Sequence, residues 1–238
     1  CTVQSYELEP EGPNAVLKNQ ISDFVVNDSL FVFRGYRNDV KVLSRKDGTL
    51  LKTIITFSPE DNYKLNYRGT RDGPYGGLEM RWDEGNIVTP LFTKQTQTMA
   101  DKLALSVDLT TEKAEILSLS YPEEMKEDLG CYGSLTFPNF NTSEDRWVYN
   151  FANSSRVYIY EKETGKVQVL DMKSNATPNK AFPVDSNLKE RNLRKSAEYE
   201  STTLRFGSVY YDETADVYVR MHYAGKEKIF DDRKSYLM

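Results

Sequence analysis

A chain of 238 residues with 39% hydrophobic and 28% charged residues has the make-up of a folded globular protein, not a disordered one. No apolar run approaches the roughly 20 residues that a membrane-spanning helix needs. The net charge of −5 argues against a broad nucleic-acid surface, and the one local basic run, Lys189, Arg191, Arg194 and Lys195, is broken by Glu190.

Taken in order, the chain reads as strands. Val25 and the run Leu30 to Phe33 flank a turn at Asn27, Asp28 and Ser29. Val40 to Leu43 and Leu50 to Ile55 flank Asp47 and Gly48, a hairpin signal because glycine tolerates the positive φ of tight turns. Leu78 to Phe92 splits near Asp83, Glu84 and Gly85. A hairpin follows from Leu103 to Leu117, turning through Leu109 to Glu112. Leu135 to Phe151 splits near Asn141 to Asp145, and Val157 to Leu170 turns at Glu163, Thr164 and Gly165. Phe206 to Tyr211 turns at Asp212, Glu213 and Thr214 into Val217 to Tyr223, and Ser235 to Met238 reads as one more strand.

Strand pair therefore follows strand pair, in units of roughly 50 residues, which is the spacing of propeller blades. The expectation is an all-β fold and a single partial β-propeller domain over 1–238, with blades near 21–57, 78–119, 134–171 and 204–238. A β-sandwich, which also strings short strands on regular turns, is the alternative. About four blades are present, and the last stops inside its third strand, so the chain is expected to be incomplete.

The search for chemistry yields little. Two cysteines, Cys1 and Cys131, are too few for a disulfide framework or a thiolate metal site, and neither a metal nor a cofactor is expected. The single histidine, His222, lies in a strand where alternation puts Val217, Val219 and Met221 on one face and Tyr218, Arg220 and His222 on the other. No nucleophile elbow, metalloprotease helix, phosphate loop or calcium loop occurs. No catalytic residue is assigned. Carboxylates such as Glu123, Glu124, Glu127 and Asp128 could serve a glycosidase only if two of them converge, which sequence spacing does not show.

Loop length is the better guide. The long connectors, near 58–77, 120–133 and 172–203, all join one unit to the next, and long structureless segments are commonly functional. In a blade they lie on the same face as the loop between the second and third strands. That face gathers Arg34, Tyr36, Arg37, Arg68, Arg71 and Tyr75, a set of arginines and tyrosines suited to stacking and forked hydrogen bonds. The Gly-rich stretch 68–77 could also offer backbone N–H groups to an anion, or serve simply as a turn between units.

Several stretches together resemble a family of uncharacterised Bacteroidetes lipoproteins with six-bladed, TolB-like propellers. They are Glu11 to Val16 followed by Asp28 to Val32, then Leu117 to Pro122, and above all Arg205 to Asp212 with Asp216 to Arg220. The resemblance implies an exported protein of the periplasm or outer membrane, lipid-anchored, and brings no activity with it. Cys1 is the candidate lipid attachment, or else a fragment boundary, since in the family a blade precedes the Gly12 to Val16 stretch. The expected function is a non-catalytic binding or scaffold module of the cell envelope, engaging a glycan, peptide or envelope protein. A carbohydrate-active enzyme with carboxylates in the propeller channel is the alternative.

Overall fold

The computed structural model describes residues 24–26, 30–34, 38–65, 80–93, 99–126, 135, 138–143, 145–182, 199, 202–212 and 214–225. They form an all-β protein of several antiparallel sheets, with one helical turn, α1, at Glu123–Lys126. Among the described residues no helix is long and apolar enough to cross a membrane.

The first sheet is a meander of β1 (Phe24–Val26), β2 (Leu30–Arg34), β3 (Asp39–Ser44) and β4 (Leu50–Ile55). Its β3–β4 turn is set by Gly48 at φ 76°, while the Asp47 carboxylate accepts from the Thr49 N–H at 3.1 Å. The second sheet comprises β5 (Tyr63–Lys64), β6 (Arg81–Asp83), β7 (Asn86–Thr93), β8 (Met99–Asp108) and β9 (Lys113–Ile116). Here β5 and β6 share one edge of β7, with β8 and then β9 on the other side. The third sheet runs β10 (Pro138–Thr142), β11 (Arg146–Phe151), β12 (Arg156–Glu161), β13 (Val167–Asp171). The last pair is β14 (Arg205–Asp212) with β15 (Val217–Tyr223), bulged between Phe206 and Val209.

Strand alternation explains how the sheets pack, because side chains at i and i+2 share a face. Val40, Val42 and Ile54 of the first sheet meet Ile87, Leu91, Leu105 and Val107 of the second. Val88, Leu103 and Ala104 belong instead to a cluster with Phe140, Trp147, Tyr149, Phe151 and Tyr158 of the third sheet. Val148 and Val157, on the far side of that sheet, meet Val209 of β14. These three apolar cores thus lie between successive sheets, and both faces of the second and third sheets are covered. Fully buried Phe151 and Phe206 each contribute roughly 1.5–3 kcal/mol by leaving water.

Aromatic stacking orders the core between the second and third sheets. Tyr149 stacks on Tyr158 with ring centroids 5.0 Å apart, and Trp147 on Tyr160 at 5.3 Å. At the Trp147 end, Asp83 accepts from the indole Nε1 at 2.7 Å and from Lys162 Nζ at 2.5 Å, which ties the β6–β7 turn to the third sheet. Such a pair needs both partners, since a buried charge left alone is costly.

Candidate functional site

Of the sequence-predicted site residues, Arg34 closes β2 opposite Val40. Tyr36, Arg37, Arg68, Arg71 and Tyr75 lie outside the described residues, as do Cys1, Cys131 and the 68–77 stretch. In the acidic cluster Glu123 is exposed at the start of α1, while Glu127 and Asp128 also lie outside the described residues. His222 is exposed on β15, its ring 6.1 Å from that of Phe206.

The β2–β3 connection that follows Arg34 has its counterpart in the third sheet at the β11–β12 turn, residues 152–155. There the described structure is dense. The Ala152 carbonyl accepts from Phe206 N at 2.8 Å, and Asn153 O accepts from Ala181 N at 2.9 Å. Ser155 N donates to Asn179 O at 2.8 Å, and its hydroxyl donates to Asp171 Oδ1 at 2.9 Å. The connector 172–182 is therefore strapped across the end of the third sheet, beside the start of β14.

Arg220 fastens this junction from β15. Its guanidinium donates to Met172 O at 2.8 Å and to Ser154 O at 3.4 Å, and lies 4.5 Å above the Phe206 ring. Burial pulls it down to about 10, an effect the Asp171 charge opposes, so it remains a cation at neutral pH.

Four asparagines give the same end its chemistry. Asn139 and Asn150 face each other across β10 and β11, and period-2 alternation puts Asn141 beside them, on the face toward β14. Asn150 Nδ2 donates to Gly207 O at 2.9 Å, and Asn141 Nδ2 to Val209 O at 3.2 Å. Among the described residues Asn150 Oδ1 has no hydrogen-bond partner, and neither amide atom of Asn139 or Asn153 has one, although all three residues are buried. Buried amides are paired in the great majority of proteins, so a group of unspent donors and acceptors marks this end of the sheet as chemically unusual. The sequence carried a signal for it in the run from Pro138 to Thr142, where Asn139 and Asn141 alternate with Phe140. A strand covered on both faces, as β10 and β11 are, has no ordinary packing reason to carry them.

The carboxylates behave differently. Hydrogen bonds from Thr49 hold Asp47 low, those from Thr111 and Thr110 do the same for Asp108, and Lys173 with Ser155 lowers Asp171. Asp145 is held at about 2 by its forked bonds from Arg146, at 2.8 and 2.6 Å. Arg146 also reaches the Tyr218 hydroxyl at 3.2 Å. Among the described residues, no group of three or more His, Cys, Asp or Glu side chains is gathered as metal ligands.

A family model described as a domain of unknown function, DUF4221, matches residues 3–237. The chain belongs to the DUF4221 family. A crystal structure of a DUF4221 member from Bacteroides vulgatus ATCC 8482 superposes with a TM-score of 0.68 at 15% identity, covering 97% of this chain and 63% of that one. The chain thus spans less than two thirds of that member's length. At this identity the likeness is one of fold alone. Two computationally designed proteins, Ika4 and Ika8, match with TM-scores of 0.42 and 0.37 at 10% and 12% identity. Ika4 covers 93% of this chain and 99% of its own, Ika8 82% and 44%. No curated protein matches the chain.

Proposed function

We propose that this DUF4221 chain is a non-catalytic binding or scaffold module of the bacterial cell envelope. In this reading its sheets are successive blades of a TolB-like propeller, and the protein is exported and lipid-anchored in the periplasm or outer membrane. It engages a glycan, peptide or partner protein through the end of the sheets where second strands turn into third strands and the long connectors run. Face-to-face stacking of consecutive meanders supports the propeller arrangement, as each blade of a propeller packs only on its neighbours.

The observation that carries the binding reading is the set of buried amide atoms without a partner among the described residues, both of Asn139, both of Asn153 and Oδ1 of Asn150, beneath that end. Neutral donors and acceptors suit an uncharged polar ligand, such as sugar hydroxyls or peptide groups. A carboxylate-based glycosidase asks for the opposite electrostatics, with one carboxyl held protonated by a raised pKa.

The test is a titration of the chain with arrays of neutral oligosaccharides and short peptides, read by binding and by product analysis. The expected result is saturable binding without turnover, weakened by Arg37→Ala and Arg71→Ala. Binding that survives both substitutions overturns the assigned surface. Release of shortened sugars overturns the non-catalytic reading.

A further inference from the structure

Asn153 is enclosed by the chain's own atoms. Its side chain is fully shielded from solvent, and neither Oδ1 nor Nδ2 has a partner among the described residues. Two walls flank the 152–155 turn that carries it. One is the start of β14, where Phe206 N donates to Ala152 O. The other is the 172–182 connector, held by Ala181 N on Asn153 O, by Ser155 N on Asn179 O and by the bridge between Ser154 and Lys180. A ligand reaches the Asn153 amide, as the binding reading asks, only when one of these walls gives way.

The walls are built differently. The β14 wall is anchored in apolar core, since Phe206 is fully buried and Val209 packs on Val148 and Val157. The connector is anchored at its two ends, by Met172 against that same cluster and by the single methyl of Ala181 against Leu135 and Ala152. Between them Lys173, Asn175, Ala176, Pro178, Asn179 and Lys180 are exposed. Backbone hydrogen bonds with little buried apolar surface characterise segments that open well below the cost of global unfolding. Arg220 fastens connector to turn, donating to Met172 O on one and Ser154 O on the other.

We propose that the 172–182 connector is a lid over the asparagine end, opening as a unit to uncover Asn153, with Arg220 as its latch. What enters under it, an uncharged polar ligand, rests on the binding reading. The motion itself is measured with no ligand present.

Thiol labelling reads that motion. In a chain carrying Cys1→Ser and Cys131→Ser, one cysteine is introduced under the lid by Asn153→Cys, or in the core between the third sheet and β14 by Val148→Cys. Replacing an unpartnered amide strands no other group, and circular dichroism confirms that each variant is folded. The expected result is labelling at least about tenfold faster in Asn153→Cys than in Val148→Cys, because local opening reaches the first and global unfolding the second. Arg220→Lys keeps the charge but loses the planar fork, so it should speed labelling in Asn153→Cys by roughly another tenfold and leave Val148→Cys unchanged. Equal rates in the two cysteine variants overturn the lid. An Arg220→Lys effect that is shared by both, or absent from both, overturns the latch. Failure of every oligosaccharide and peptide to bind, with the labelling as expected, sinks the binding reading and leaves the lid standing, so the two fail separately.

Discussion

Lys162 and Asp83 stand 79 positions apart in sequence, yet the lysine Nζ lies 2.5 Å from the aspartate Oδ1, both side chains being largely shielded from solvent. The same carboxylate group takes the Trp147 indole N–H, so one side chain serves two groups of the neighbouring sheet.

Asp83→Ala should therefore cost more than a surface ion pair, about 3 kcal/mol, because it takes the carboxylate from a shielded ammonium and from a buried indole donor. Urea unfolding of the chain measures it. The double substitution Asp83→Leu with Lys162→Met should recover most of the loss, since no charge is then left without its partner. A loss below about 1 kcal/mol in the single variant would reduce the pair to an ordinary surface bridge.

Asn139 gives a prediction of opposite sign. An amide with no partner contributes only its desolvation penalty, so Asn139→Leu should stabilise the chain by about 1 kcal/mol in the same assay. Destabilisation would mean that an ordered water satisfies the amide. Under the binding reading, the stabilised variant should bind more weakly, the usual exchange between stability and function at a polar site.

Acid should loosen the fold within a defined window. Asp145 sits at about 2 when folded, against an ordinary value of 3.8, because Arg146 bonds its charged form. A depressed folded value means that the contribution is present above the unfolded value and lost as pH falls toward the folded one. Thermal melting should therefore fall between about pH 4 and pH 2. Asp145→Asn should flatten that part of the profile without affecting its neutral-pH shape. An unchanged profile would show that Arg146 does not distinguish the charged form.

Gly225 tests backbone geometry. Its φ is 85°, and a β-carbon there would come within 2.8 Å of Thr202 O and 2.9 Å of Leu204 N. Gly225→Ala should lower stability by more than about 1 kcal/mol, since both the dihedral and the space are closed to it. Gly85→Ala, at φ 90° but with nothing within 4 Å, should cost only the dihedral strain. Equal losses in the two would mean that Thr202 and Leu204 move aside.

What the sequence made legible was whatever depends on neighbours. The Asp47–Gly48 turn, the split at Glu84 and Gly85 and the alternation of Val217, Val219 and Met221 all come from local preference, and the structure holds each as a turn or a strand. Short β5 was read as part of a connector, because Tyr63 and Lys64 are a strand only by pairing with Thr93 and Phe92. The Asp83 tie was invisible for the same reason, since neither carboxylate nor lysine is unusual until two sheets meet. The asparagine group was half visible. Asn141 was read as the start of a turn, and only the register with Val148, beside Asn139 opposite Asn150, shows a polar row inside a packed face.

The way the strands are joined bears on how the protein folds. Among the described residues, every hydrogen-bonded strand pair apart from β5 with β7 joins consecutive strands. Each sheet can therefore zip up from its own turns before any distant segment arrives, so little loop-closure entropy opposes the early steps. The slower event is the docking of finished sheets on one another, as in repeat proteins where each unit contacts only the next. Hydrogen exchange should then be slowest in β8 and β11, which belong to the sheets covered on both faces.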